Sequence, residues 1–225
     1  MISDFNKKLD VMIPDVRCEL NYNRDYELLI ATVLSAQCTD KRVNEVTSVL
    51  FSNYDIYGLS KAKKSDVEKI IRSVGTSSRK SEFVIKIAES LVNNYNGVVP
   101  NDREYLESLP GVGRKTCNVV LSNLFNVPAI AVDTHVERVS KRLGLAKKLD
   151  NVLTVEKKLM KKIPKDLWSR THHQLVLFGR YICKAKKPEC EKCLFFEDCK
   201  CKEKKKIWYL LFFIQLFLLR LLEEL

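Results

Sequence analysis

The stretch Leu109–Thr116, LPGVGRKT, contains two glycines on either side of one valine, followed directly by two cations. Gly111 and Gly113 permit the positive φ angles of a tight turn, and the preceding proline ends a helix. The next helix is predicted to begin near Arg114, with its free amides and the positive end of its dipole directed to the same side. Such a helix–hairpin–helix turn suits an anion, and a DNA phosphate is the ligand we expect.

Lys115 is the candidate catalytic residue of this stretch. It lies in the first turn of the predicted helix, where the dipole disfavours an ammonium group, and a nucleophile that forms a Schiff base must be a neutral amine. The Gly-x-Gly pattern by itself is more typical of a plain turn between helices. The alternative for Lys115 is a solvated surface lysine, which is the interpretation that fits most of the 39 lysines and arginines. The two cations after the turn favour binding of DNA.

Asp133 lies eighteen residues beyond Lys115 and is the candidate carboxylate partner. The residues that follow it predict a capping box, with Thr134 as the N-cap and Glu137 bonding back to it. On this interpretation Asp133 is not needed as a cap, so its carboxylate can assist the departure of a base or activate the lysine. Position alone leaves a structural and a catalytic role equally open.

The chain of 225 residues has a net charge of +11, which predicts a polyanionic partner such as DNA, RNA or an acidic membrane surface. A hydrophobic content of 46% excludes a disordered chain. Residues 1–8 show no apolar run after their charges, so no secretory signal is expected. The predicted location is the cytoplasm, at the nucleoid, where the eight cysteines are thiols or metal ligands rather than disulfides.

Apolar residues recur at helical spacing along most of the chain, as they do over residues 67–74. Strand signals are nearly absent apart from short runs such as residues 129–132. Asn101 is predicted to cap the helix before the glycine turn, with Glu104 three positions later. These patterns predict an all-α protein of nine or ten helices.

Four cysteines near the C-terminus, Cys183, Cys190, Cys193 and Cys199, follow the pattern C-x6-C-x2-C-x5-C. Four thiolates within seventeen residues can surround one centre, either a 4Fe–4S cluster or a zinc ion. The spacing leaves both metals open, although zinc sites more often use two C-x2-C pairs. Cys201 is a spare thiol, and the five-residue gap favours Cys199 as the fourth ligand.

Several longer motifs resemble the endonuclease III family of DNA glycosylases, over about residues 20 to 205. They are LSAQCTD at Leu34–Asp40, the turn at Leu109–Thr116, IAVDTH at Ile130–His135, HHQL at His172–Leu175 and GRYIC at Gly179–Cys183. The resemblance implies two helical domains with a cleft between them. Residues 20–128 would form a six-helix barrel-like domain with the hairpin, and residues 1–19 and 129–206 a domain with the cluster loop at 183–199.

The resemblance further implies a bifunctional base excision repair enzyme, which flips an oxidised pyrimidine out of double-stranded DNA. Lys115 attacks C1′, the base leaves, and the Schiff base leads to β-elimination 3′ to the lesion. Asp133 supports the lysine and the positive charge that develops on the sugar. The cysteine spacing matches the family's loop, so the expected cofactor is a 4Fe–4S cluster with a structural and electrostatic role, and the expected assembly is a monomer.

The residues expected to contact DNA are Gln37, Asp40, Thr76, Gly111, Val112, Gly113, Arg114, Lys184, Lys186 and Lys187. The resemblance assigns Gln37 to the gap left by the flipped base and places Asp40 near the damage pocket, while the three lysines lie where a rigid cluster would present them to phosphates. Thr76 stands where bacterial relatives usually carry a large aliphatic wedge. A small hydroxyl side chain separates the strands less well, so weaker base flipping by this loop is predicted.

Two alternative functions stay open. An adenine glycosylase of the same fold is disfavoured, because such enzymes generally lack a lysine at this site and carry a further C-terminal recognition domain. A non-enzymatic DNA-binding module stabilised by metal is the other alternative, and borohydride trapping distinguishes it from a lyase.

Residues 207–225 form an apolar tail, in which the thirteen residues Ile207–Leu219 contain one polar residue, Gln215. The run is shorter than the ~18–20 apolar residues of a membrane-spanning helix. The lysines at 204–206 favour an anionic membrane surface. Packing on the protein body or on a second copy, and a read-through or shifted reading frame, are the other interpretations.

Overall fold

The computed structural model describes residues 2–201, whose regular secondary structure is entirely helical. The helices are α1 Ile2–Met12, α2 Asp25–Leu34, α3 Asp40–Asn53, α4 Ile56–Ser60, α5 Lys64–Ile70, α6 Ser77–Tyr95, α7 Arg103–Ser108, α8 Arg114–Phe125, α9 Thr134–Arg142, α10 Val152–Lys162 and α11 Trp168–Tyr181. Short 3-10 turns cover Arg72–Val74, Lys165–Leu167 and Cys190–Lys192. The all-α class is confirmed, and the count among the described residues exceeds nine or ten because α4 and α7 are too short to show a periodic pattern.

The chain forms two compact units. The hairpin unit, Arg17–Ala131, contains α2 to α8. The cysteine unit contains α1 and α9 to α11, from the residues up to Val16 and those from Val132 onward.

The hairpin unit is built around α2, which is mostly apolar and buries two polar residues, Glu27 and Thr32. Residues 26–34 are all buried, and α3, α6 and α8 pack around them. A helix that is mostly apolar around its circumference is buried at the centre of its unit, so the sequence of α2 favours this arrangement. The loop after α2, which contains Gln37, therefore begins at a fixed point of the core.

In the cysteine unit, α11 packs against α1 and α9. Phe178 of α11 is fully buried and meets the edge of the Phe195 ring, at 5.6 Å between ring centroids. Phe195 also contacts Phe5 of α1, at 5.5 Å. Phe195 lies between the third and fourth cysteines of the predicted ligand set, so this aromatic contact fixes the cysteine loop to the helices.

The predicted cap of α7 is wrong by one residue. Asp102, not Asn101, is the N-cap, and its carboxylate accepts the amide hydrogen of Tyr105 at 3.1 Å. The two side chains are equally good caps, and the helix begins one residue later than the pattern suggested.

No helix within residues 2–201 is long and apolar enough to cross a membrane. The apolar tail at 207–225 lies outside the described residues.

Candidate active site

The glycine turn before α8 has the predicted location, and its two glycines differ in conformation. Gly111 adopts a φ of 78°, and a Cβ atom there would lie 2.6 Å from Cδ2 of Phe83, so only glycine fits. Gly113, which also permits a positive φ, does not use that freedom: it is extended at φ −101° and is the N-cap of α8. Val112, between them, is 5% exposed and anchors the turn in the core.

The start of α8 is open. The helix begins at Arg114, as predicted, and the N-cap Gly113 has no side chain with which to satisfy the first amides. A Cβ at Gly113 would have no atom of the described residues within 4 Å apart from its chain neighbours, so the turn is open on this side. A helix N-terminus that its own N-cap residue does not cap suits a phosphate group.

Lys115 is the second residue of α8 and is exposed. One turn further along the helix, Asn118 is 3% exposed and holds α8 in place. Its side-chain oxygen accepts a hydrogen bond from Arg103 of α7 at 2.9 Å, and its amide donates to the carbonyl of Ile130 at 3.3 Å. The amine of Lys115 therefore extends from a helix that is fixed on both sides.

Asp133 is the N-cap of α9, so the prediction that Thr134 caps this helix is wrong. Its Oδ1 accepts the amide hydrogen of Val136 at 2.7 Å. Asp133 is extended, at φ −100°, whereas Thr134 already belongs to the helix. A carboxylate has two oxygens, and this bond engages one of them. Capping thus fixes the side chain and is compatible with chemistry at the second oxygen.

His135, in the first turn of α9, is half-buried, and burial lowers its pKa. Its Nδ1 lies 3.3 Å from Nη2 of Arg138, which in turn donates to the carbonyl of Gly179 at 2.8 Å. These contacts favour an orienting role for His135 in the first turn of α9.

The loops that carry Gln37 and Thr76 share an unusual backbone. Gln37 has a φ of 57° and Thr76 a φ of 45°, in the left-handed region that side chains with a Cβ rarely adopt. Both side chains are exposed. Asp40 begins α3 directly after the N-cap Thr39. Strained residues of this kind concentrate at binding and catalytic sites.

Sequence reasoning missed Lys80, whose side chain is buried between these two loops at 5% exposure. Its Nζ donates to the carbonyls of Leu34 at 2.9 Å, Ala36 at 2.7 Å and Val74 at 2.9 Å. Burial lowers the pKa of Lys80. The sequence contains no signal for this contact, because the three acceptors are main-chain atoms.

The five C-terminal cysteines line one cavity, although no group of three or more His, Cys, Asp or Glu side chains in residues 2–201 is arranged to hold a single metal ion. The cysteines are Cys183, Cys190, Cys193, Cys199 and Cys201. Phe178, Pro188 and Phe196 also line it. The predicted ligands are thus brought together, and Arg142 and Glu189 are the charged residues in the lining.

Arg142 forms hydrogen bonds with both ends of the cysteine loop, residues 183–201. Its guanidinium donates to Sγ of Cys183 at 3.5 Å and to the carbonyl of Lys184 at 2.6 Å. Its own carbonyl accepts the amide hydrogen of Lys200 at 2.8 Å. Near the fourth cysteine, the amide of Cys201 donates to Sγ of Cys199 at 3.4 Å.

The three lysines of the first cysteine loop are not equivalent. Lys184 pairs with Glu189 of the same loop at 2.7 Å. Lys186 and Lys187 are exposed, and Lys187 has a left-handed φ of 50°. Lys186 and Lys187 therefore suit an external phosphate better than Lys184.

Comparison with known proteins reveals close relatives. The family described as HhH-GPD superfamily base excision DNA repair protein matches residues 30–165. The chain is similar to endonuclease III of Bacillus subtilis (strain 168), with 48% identity over 202 residues that cover 88% of this chain and 91% of that protein. It is 44% identical to endonuclease III of Escherichia coli (strain K12) over 195 residues, covering 86% and 92%.

Two solved structures are similar in fold as well as in sequence. A non-covalent endonuclease III–DNA complex gives a TM-score of 0.87 at 49% identity, covering 93% of this chain and 99% of that one. A trapped endonuclease III–DNA covalent intermediate gives a TM-score of 0.86 at 49% identity, covering 92% and 99%.

Proposed function

This chain belongs to the endonuclease III family of the HhH-GPD superfamily, and on that premise we propose that it repairs oxidised pyrimidines in double-stranded DNA. It acts as a DNA glycosylase, which removes the base, and as a lyase, which cuts the strand at the abasic site. The single observation in this chain that carries the proposal is the exposed amine of Lys115 beside the open N-terminus of α8. A relative trapped as a covalent intermediate with DNA supports a reaction through an enzyme–DNA bond.

The reaction we propose begins with a phosphate bound at the turn. The phosphate oxygens accept hydrogen bonds from the amides of Gly111 and Gly113 and of the first turn of α8, and Arg114 adds a positive charge. The amide of Val112 already donates to the carbonyl of Leu109 at 3.1 Å. These groups bind the backbone at any sequence, so lesion choice must come from contacts with the flipped base. Binding of the phosphate positions the adjacent sugar for attack by Lys115.

Lys115 is the proposed nucleophile. Its neutral Nζ attacks C1′, the bond between C1′ and the base breaks, and the base departs with the electron pair and takes up a proton. Opening of the sugar gives a Schiff base between Nζ and C1′. Loss of a proton from C2′ then breaks the C3′–O bond, and water hydrolyses the imine to release the enzyme.

Asp133 is the proposed carboxylate of the reaction. With Oδ1 held by the amide of Val136, Oδ2 has a fixed position from which it stabilises the positive charge that develops on the sugar. A fixed charge acts without reorganisation during the reaction.

We propose that Cys183, Cys190, Cys193 and Cys199 hold a 4Fe–4S cluster. Burial raises the pKa of Cys193 to about 11, so a strongly positive metal centre is needed to hold this thiol as thiolate. Four cysteines that line one cavity are the ligand set of a 4Fe–4S cluster. A bound cluster would hold the loop rigid through these four cysteines.

The remaining assignments concern contacts with DNA. Gln37 and Thr76 enter the duplex at the lesion, with Asp40 beside the damaged base. Lys186 and Lys187 bind phosphates. We propose that the protein works as a monomer at the nucleoid.

Borohydride trapping on DNA with an abasic site tests the proposed lyase. The wild-type protein should form a covalent adduct, Lys115→Ala should form none, and Lys157→Ala, an exposed lysine of α10, should trap as the wild type does. No adduct from the wild type contradicts the proposal and favours a binding module. Trapping over a panel of oxidised pyrimidines, together with iron and zinc analysis, then gives the lesion range and the metal.

A further inference from the structure

The two DNA-contact loops of the hairpin unit are connected through one buried side chain. The Gln37 loop leaves the C-terminus of α2, and the Thr76 loop leads into α6. They lie about forty residues apart in sequence, and both contain a non-glycine residue with a left-handed φ. The left-handed residues Asn96 and Asn126 differ from these because they end helices, where this conformation is ordinary.

Lys80 uses all of its hydrogen-bonding capacity on these loops. An ammonium group has three N–H donors, and the three carbonyls that accept them are those of Leu34, Ala36 and Val74. Ala36 directly precedes Gln37, and Val74 lies two residues before Thr76. One amine therefore fixes the backbone on the approach to both exposed side chains.

Packing alone does not explain a lysine at this position. A buried cation loses its hydration, which an apolar side chain of similar length avoids, but the apolar side chain would leave the three carbonyls without this donor. The carbonyls at the C-terminus of α2 have no partner within the helix and carry the negative end of its dipole, so they accept a cation well. What a cation adds over an apolar residue is a connection between two segments that do not pair with each other through regular backbone bonds.

We propose that Lys80 is a positioning residue, which ties the Gln37 loop to the Thr76 loop so that both act on DNA as one unit. The inference rests on the proposed function, because that function assigns the two loops to opening of the duplex. Separation of the strands requires simultaneous contacts on both sides of the lesion, and loops that move independently lose part of the binding energy to their own ordering. Lys80 takes no part in the chemistry at Lys115.

Lys80→Met tests the connection, because methionine has similar length and no donor. Base opening is followed by the fluorescence of 2-aminopurine opposite the lesion, and the excision rate is measured in single turnovers on duplex DNA. Both should fall about tenfold, while borohydride trapping on single-stranded abasic DNA stays within roughly twofold of the wild type. Lys86→Met is the matched control on α6, since Lys86 is exposed and pairs with Glu82, and it should leave all three measurements unchanged.

Two results overturn the proposal. One is unchanged base opening in a folded Lys80→Met protein, and the other is an equal loss of opening and of single-stranded trapping. Lys80→Arg keeps the charge and the donors, so it should retain base opening at least in part. Lys80→Met, which keeps only the length of the side chain, should not.

A double-mutant cycle keeps the proposal testable if Lys80→Met does not fold. Gln37→Ala and Thr76→Ala change exposed side chains, so both proteins should keep the wild-type melting temperature. Their effects on base opening should be strongly non-additive in the wild-type background, and additive effects contradict a connection between the loops. Failure of the proposed function is recognised separately, because the wild type then forms no trapped adduct even where the cycle shows coupling.

Discussion

The first turns of α8 and α9 differ in whether the N-cap side chain accepts a backbone amide hydrogen. α8 follows Gly113, which has no side chain, whereas α9 follows Asp133, whose Oδ1 accepts the amide hydrogen of Val136 at 2.7 Å. An open N-terminus keeps its donors for an external anion, and a closed one holds its own carboxylate still. The two proposed catalytic residues therefore depend on opposite features: Lys115 on a bound phosphate, and Asp133 on an internal bond.

Asp133→Asn separates the two roles of this residue and should give the largest effect. Asparagine caps as well as aspartate, so the free energy of unfolding should change by less than about 0.5 kcal/mol. Loss of the charge should lower the single-turnover rate of base excision about 100-fold or more. Denaturant unfolding and rapid-quench kinetics on the same protein measure both quantities. An unchanged rate would reduce Asp133 to a helix cap.

The cap itself is tested by alanine at two neighbouring positions. Asp133→Ala should lower the free energy of unfolding by about 1 kcal/mol, because it leaves the amide of Val136 without its acceptor. Thr134→Ala should cost clearly less. The reverse order would restore Thr134 as the N-cap and remove the contrast with α8.

Gly111→Ala should affect stability more than the loss of the α9 cap does. The new Cβ would meet the Phe83 ring at 2.6 Å and would require a φ of 78°, so we expect a loss of about 2 kcal/mol in the free energy of unfolding. Gly113→Ala is the control: it has open space and an extended backbone, and should cost about 0.5 kcal/mol. Equal losses would mean that the two glycines share one role.

Closing the N-terminus of α8 should weaken DNA binding without harming the fold. Gly113→Asp and Gly113→Asn both add a cap and should raise the free energy of unfolding by about 0.3 kcal/mol. The aspartate also repels a phosphate, so its Kd for duplex DNA should rise about tenfold, and that of the asparagine variant less. Fluorescence anisotropy at one fixed salt concentration measures this. Wild-type affinity in the aspartate variant would place the phosphate elsewhere.

The two helix starts also show what a sequence can reveal. Gly-x-Gly followed by cations predicted the turn and the start of α8 at Arg114, because glycine and proline act locally on the backbone. At α9, Asp133 and Thr134 are adjacent good caps. Which of them bonds depends on where the helical φ and ψ angles begin, and the capping-box pattern pointed to the wrong one.

Tertiary contacts with main-chain atoms were beyond prediction. Lys80 looks like any other lysine in a polar stretch, and its three acceptors come from segments up to 46 residues away. The cysteines were recognisable from spacing alone. The hydrogen bonds between Arg142 and both ends of the cysteine loop could not be predicted, because they also involve main-chain carbonyls.

The lysines of the cysteine loop show the same contrast between a group that already has an internal partner and an exposed one. Substitutions there should have the smallest effect, on the salt dependence of DNA binding. Lys186 is exposed, whereas Lys184 already pairs with Glu189 at 2.7 Å. If Lys186 contacts one phosphate, Lys186→Gln should reduce the slope of log K against log salt by about 0.9. Lys184→Gln should change the slope less, because its charge is partly neutralised inside the loop. A larger change for Lys184 would show that DNA displaces Glu189, and that a group engaged in the free protein becomes available on binding.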